Sequence, residues 1–119
     1  MIKVHPGSKF YHPFQIGKRA EEIGKKALEA LRTENKIYNF WKKDRNGVDF
    51  IIKTLSRNEI KLQIKSSALG AFRHLEKYPD IPSILIQCDL RMKPRNIRKA
   101  ICYAKQNILD IIKYQEGGI

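Results

Sequence analysis

The chain alternates between two hydrophobic periods, and their order outlines a fold. Over residues 15–33 a period of 3.6 predicts a helix. Gly17, Ala20, Glu21, Gly24, Ala27, Leu28 and Leu31 share one face, while Lys18, Glu22, Lys25, Lys26 and Glu29 fall elsewhere. Residues 36–42 (Lys-Ile-Tyr-Asn-Phe-Trp-Lys) are rich in aromatics and read as a strand. Lys42 to Gly47 is a polar turn ending in Asn46-Gly47. Two further strands follow at 48–54 and 59–66, the second alternating strictly from Ile60 to Lys65. A three-residue loop, Ser56-Arg57-Asn58, joins them, with Asn58 suited to the left-handed position. That loop places Leu55 opposite Glu59, Ile51 opposite Gln63 and Asp49 opposite Lys65.

Residues 68–77 read as a short helix and 78–82 (Tyr-Pro-Asp-Ile-Pro) as a loop. Ser83 to Cys88 is nearly continuously apolar, as in a strand covered on both faces. Pro94 suits the first turn of a last helix, which carries Ile97, Ile101, Ala104, Ile108, Ile111 and Ile112 to Tyr114 and stops at Gly117-Gly118. The order is α-β-β-β-α-β-α. A meander followed by a helical crossover predicts an α/β sandwich, a mixed central sheet flanked by helices.

Length sets the scale: 119 residues with 42% hydrophobic content make one domain with one core. Residues 1–14 form an irregular arm, because His5-Pro6 and His12-Pro13 each force extended backbone before the proline. His5 and His12 read as surface residues. No apolar stretch reaches membrane-span length, and the N-terminus has no continuous apolar core of a secretion signal. Cys88 and Cys102 match no zinc or disulfide spacing, and read as reduced core residues of a cytoplasmic protein.

Charge changes the picture most. The formal net charge is +12, from 24 Lys+Arg against 12 Asp+Glu. Such a surplus on one small domain favours a polyanion, and nucleic acid is the commonest. A Lys-rich surface that is only solvating is the bland alternative. The basic segments lack a bulky apolar face for membrane insertion. The densest basic stretch surrounds Lys93, Arg95, Arg98 and Lys99, at a helix start where cations oppose the dipole. Placement against the dipole points to phosphate binding.

Four residues carry the candidate chemistry. Glu21 sits on the small, apolar face of the first helix, where an unpaired carboxylate is costly. Asp49 interrupts the apolar run Val48-Asp49-Phe50-Ile51-Ile52, and Gln63 and Lys65 share the polar side of their strand. The plain alternatives are a boundary glutamate, an exposed strand-start aspartate and a half-exposed strand. Brought together, two carboxylates, an amide oxygen and an ammonium would hold a hard cation and an activated water.

Gly17-Lys18-Arg19-Ala20-Glu21, Gly47-Val48-Asp49-Phe50 and Leu62-Gln63-Ile64-Lys65-Ser66, in this element order, resemble the PD-(D/E)xK phosphodiesterase superfamily. That superfamily includes restriction endonucleases and archaeal Holliday junction resolvases, and the resemblance spans roughly residues 15–90. It implies a restriction endonuclease-like fold and a metal-dependent endonuclease acting on DNA, with branched structures among the candidate substrates. It also implies Mg²⁺ or Mn²⁺ held by Glu21, Asp49, Gln63 and the Ile64 carbonyl, with Lys65 handling the attacking water. Lys18 and Arg19 join the basic residues of the last helix as candidates for binding nucleic acid, and a homodimer would serve two-strand cleavage. Gln63 stands where the family usually has an acid, and Val48 where it often has proline. The alternative is a non-catalytic nucleic-acid-binding module on a nuclease-like fold.

Overall fold

Seven elements follow one another: α1 (Pro13–Thr33), β1 (Asn39–Arg45), β2 (Val48–Lys53), β3 (Glu59–Lys65), α2 (Ala68–Lys77), β4 (Ser83–Leu85) and α3 (Pro94–Gln115). They come from a computed structural model that describes residues 13–117. Residues 1–12 of the expected arm, His5 and His12 among them, and Gly118 lie outside the described residues, whereas Pro13 and Phe14, also expected in the arm, begin α1. The strands form one mixed sheet in the order β1-β2-β3-β4, antiparallel except for the parallel β3–β4 pair. The chain is therefore an α/β fold of three helices on a four-stranded sheet. No described helix is long and apolar enough to cross a membrane.

The core lies between one face of the sheet and the pair α1 and α3. Ile23, Leu28 and Leu31 of α1 meet Phe50, Ile52 and Leu62 of the sheet, and Ala104, Ile108 and Ile112 close it from α3. Each fully buried Leu or Ile contributes about 1.5–3 kcal/mol. α2 contributes nothing to this core. It packs over β3 and β4 on the other face, where a Cβ at Gly70 would meet Lys65 Cδ at 3.7 Å. Ser67 caps it, accepting a hydrogen bond from the Gly70 N–H at 3.0 Å.

Four expectations need correction. β1 begins at Asn39 and runs through the polar residues to Arg45. Asn46 and Gly47 both have positive φ (55° and 78°), the type I′ pair that makes a two-residue turn and pairs Arg45 with Val48. The strand's own residues are exposed there, so apolar alternation could not reveal it.

The β2–β3 register is Lys53↔Glu59 to Phe50↔Leu62, two residues away from that expected but of the same parity. The three-residue loop is Leu55-Ser56-Arg57, closed by Arg57 N–H to Thr54 O at 2.9 Å, with Arg57 in the left-handed position (φ 70°). Asn58 exchanges the expected loop role for pairing with Thr54, which is 1% exposed. Thr54 donates its N–H to Asn58 O, and its hydroxyl donates to Glu116 Oε2 at 2.9 Å. Asn58 Nδ2 donates to the same oxygen at 2.7 Å, so the end of α3 clasps the hairpin.

β4 is an edge strand that ends at Leu85, short of the expected Cys88, with Ile84 buried and Ser83 and Leu85 half-buried between α2 and α3. Cys88 is half-buried and Cys102 exposed, so Cys102 is not a core residue, although both thiols are free.

Candidate functional site

The site forms where β3 changes partners. From Glu59 to Leu62 it pairs with β2, and from Gln63 to Lys65 with β4. β2 and β3 therefore part just beyond Phe50↔Leu62, leaving the β2-facing N–H of Ile64 without a main-chain acceptor. Asp49 fills the gap: its Oδ2 accepts that N–H at 2.8 Å. Asp49 is 7% exposed, and its one-residue place outside the ladder explains why a carboxylate is tolerated in an apolar strand. N–H and C=O of one extended residue point the same way, so the Ile64 carbonyl faces the same fork. Register parity puts Gln63 and Lys65 on Asp49's face. Continued one step, the register sets Asp49 across from Gln63, not from Lys65 as expected.

α1 brings Glu21. A Cβ on Gly24 would overlap Ile64 Cδ1, so the missing side chain lets the helix lie close on β3. Glu21, one turn earlier, then reaches the fork and interacts directly with Asp49. Glu22 is exposed at a separate groove and stays outside the fork.

A third carboxylate, Asp44, was invisible to the sequence reading, which placed it in a polar turn. The two-residue turn fixes Arg45↔Val48, while Lys42 pairs with Phe50, so β1 holds one residue too many. The excess becomes a bulge, with Asp44 at φ 49°. It aims Asp44 at the fork: one oxygen each of Glu21, Asp44 and Asp49 lie within 4.8 Å of one another. The available signal was the Asn-Gly turn itself, which sets the register that creates the bulge. Gly47 is further pinned by Tyr78, whose ring Cδ2 would stand 2.5 Å from an added Cβ.

The electrostatics follow from crowding. Burial raises the pKa of Glu21 above the usual carboxylate range, and the neighbouring Asp49 charge adds to it. Burial also raises that of Asp49, while the Ile64 N–H and Glu21 pull it back. Lys42 supplies a counter-charge from β1, its Nζ 3.3 Å from Asp44 and 3.7 Å from Glu21. The Asp44 hydrogen bond, then the Glu21 charge, raise the Lys42 pKa.

A groove of about 500 Å³ opens over the fork, lined by Lys18, Glu21, Asp44, Gln63, Ile64 and Lys65. The structure thus brings together Glu21, Asp49, Gln63, Ile64 and Lys65, with Lys18 at the rim. It does not bring the other basic residues there. Arg19 lines a separate groove with Gln15, Glu22 and Leu90. Lys93, Arg95, Arg98 and Lys99 are exposed around the start of α3, and Lys99 borders a third groove with Met92 and Asn96. A wider groove of about 790 Å³ between β4 and α3 contains none of the fork residues. Comparison with protein-family models, curated proteins and solved structures returned no match.

Proposed function

We propose that this chain is a metal-dependent endonuclease of the PD-(D/E)xK type, with a restriction endonuclease-like fold, cleaving DNA phosphodiester bonds. The observation that carries the reading is the gathering of Glu21, Asp44 and Asp49 at the strand fork, beside Gln63, the Ile64 carbonyl and Lys65. These are hard oxygen donors, the set that Mg²⁺ and Mn²⁺ prefer. The donor span of up to 4.8 Å slightly exceeds the roughly 4.2 Å between opposite ligands of octahedral Mg²⁺. The set therefore fits with one carboxylate acting through water, or with a small inward movement.

Asp49, Glu21 and Asp44 would hold the ion, with Gln63 Oε1 and the Ile64 carbonyl beside them. Bound there, the ion neutralises charge on the scissile phosphate and acidifies a water. Asp44 supplies from β1 the negative charge that Gln63 withholds on β3. Lys65 orients or deprotonates the attacking water, and its ammonium form balances charge on the phosphate. A bound ion would compete with Lys42 for Glu21 and Asp44, since one pair of carboxylates cannot serve both cations fully. Two-strand or junction cleavage would take a twofold dimer. The free thiols suit a reducing, cytoplasmic setting.

The test is incubation of the purified chain with branched, duplex and single-stranded DNA, with Mg²⁺ or Mn²⁺ and with EDTA. Cleavage that needs the ion and is lost in Lys65→Ala supports the reading. Absence of cleavage on all three substrates refutes it. A specific pair of facts favours a second reading, a non-catalytic nucleic-acid-binding module: Gln63 lacks a charge, and Lys42 already neutralises two of the acids. Calcium discriminates, because a ligand-competent site gives a metal-dependent thermal shift and a bare binding module does not.

A further inference from the structure

On the sheet face turned away from α1 and α3, α2 packs chiefly on β3 and β4 and its C-cap Tyr78 reaches Gly47, while Trp41 and Lys61 stay exposed. The open part of this face has a distinct composition. The register makes Trp41, Ile51 and Lys61 one row across β1, β2 and β3. Ile51, at the centre of the row, is only 6% exposed. Trp41 is 39% exposed, and among the described residues no ring or cation covers it. The contrast is Tyr38, whose ring already carries the Arg57 guanidinium at 3.5 Å. Lys61 is exposed and has no ion-pair partner among the described residues, and neither has Lys43, two residues beyond Trp41. Lys65 continues the same side of β3 into the fork. Apart from Asp49, Glu59 is the acid of this face on β2 and β3, and it lies at the end away from the fork.

We infer that this open face binds one unpaired nucleic-acid strand, with a base stacked on Trp41 and phosphates on Lys61 and Lys43. The inference rests on the polyanion partner of the proposed function and adds where, and in what form, the strand lies. The row is two strand residues, roughly 7 Å, from Asp49 and Gln63. That is on the order of one nucleotide step in an extended strand, so a base on Trp41 places a nearby phosphate at the fork. An aromatic face is sequence-tolerant, since every base can stack on it. A base inside an intact duplex cannot, so the surface selects frayed, gapped or branched ends.

The chain holds a single tryptophan, so its fluorescence reports this row alone. The experiment titrates the whole chain in EDTA with fluorescently labelled oligothymidylate and oligouridylate, following label anisotropy and tryptophan emission together. A blunt duplex is the third titrant. Saturable quenching by one or both single strands, in step with anisotropy and absent with the duplex, is the expected result. The oligothymidylate and oligouridylate arms separate DNA from RNA as the source of the strand. Trp41→Ala should weaken single-strand binding roughly tenfold to a hundredfold, the usual range for a lost base–aromatic stack. Trp41→Phe should retain most of the affinity, which shows that the loss is of stacking and not of fold. Lys61→Gln should flatten the log–log salt slope by about 0.7. Anisotropy without quenching, or duplex quenching equal to that of single strands, overturns the inference. No binding to any oligonucleotide at low salt overturns it together with the polyanion partner. Binding with quenching but no cleavage when Mg²⁺ is supplied leaves it standing and removes only the nuclease reading.

Discussion

Asp49→Asn separates a metal centre from a decorative acidic cluster. The amide keeps the shape, and its oxygen still accepts the Ile64 N–H now bound at 2.8 Å. Its nitrogen can donate to Glu21, so no buried group is orphaned. What disappears is one charge from a trio lying within 4.8 Å. At that separation two unit charges repel by about 0.9 kcal/mol in water and about 3.5 kcal/mol at an effective dielectric of 20. Lys42 offsets part of this. The variant should therefore be more stable at pH 7 by about 1 kcal/mol, a rise of roughly 4 °C in melting temperature for a domain of this size.

The pH dependence gives an independent sign. Burial raises both Glu21 and Asp49, so the folded state holds their protons more tightly than the unfolded chain. Stability from this pair is present at acid pH and is lost as pH rises from the ordinary carboxylate range through the raised values. The wild type should lose stability over that window, and Asp49→Asn should lose less. Ca²⁺ at a hundredfold excess over its Kd stabilises by about 2.7 kcal/mol, so the wild-type melting temperature should climb by roughly 10 °C. The variant should not respond. Thermal melts at several pH values, with and without Ca²⁺, read all three effects. A variant that melts below the wild type at pH 7 and keeps the Ca²⁺ shift would refute the reasoning.

Gly47→Ala should cost about 1–2 kcal/mol for the left-handed conformation alone, and more from the collision with Tyr78, read as a lowered melting temperature. Lys65→Ala should abolish cleavage while leaving oligonucleotide affinity and melting temperature nearly unchanged, and cleavage that survives would place the chemistry elsewhere. Gln63→Glu adds a charged ligand and should lower the Mg²⁺ concentration needed for half-maximal activity. Replacing Arg95, Arg98 and Lys99 with glutamine should flatten the duplex salt slope by about 0.9 for each cation that had neutralised a phosphate, and an unchanged slope would mean that this cluster faces solvent or another protein.

The sequence by itself determined the elements whose signal is local. The 3.6 period of α1, the alternation of β3 and Pro94 at the head of α3 each depend on burying one face, so the pattern of side chains suffices to show them. It also singled out Glu21 and Asp49, because a carboxylate in an apolar setting is conspicuous wherever the chain runs, and it put Gln63 and Lys65 together on the polar side of β3. The parity of the hairpin was legible for the same reason: a one-residue slip would turn Ile60, Leu62 and Ile64 out of the core.

Tertiary structure alone decided the rest. The hairpin register depends on Glu116, which lies 58 residues from Asn58 and favours Thr54 and Asn58 as a ladder pair over a loop. The end of β1 carries no apolar signal, because that edge strand is exposed and held by main-chain bonds to β2. Asp44 and Lys42 meet Glu21 only through the bulge and through the close approach that Gly24 allows. The fork exists because β3 pairs with β2 for half its length and with β4 for the rest, and partner choice is a long-range property. Local preference names which residues are out of place in an apolar segment, and only the packing of distant segments sets where their charges meet.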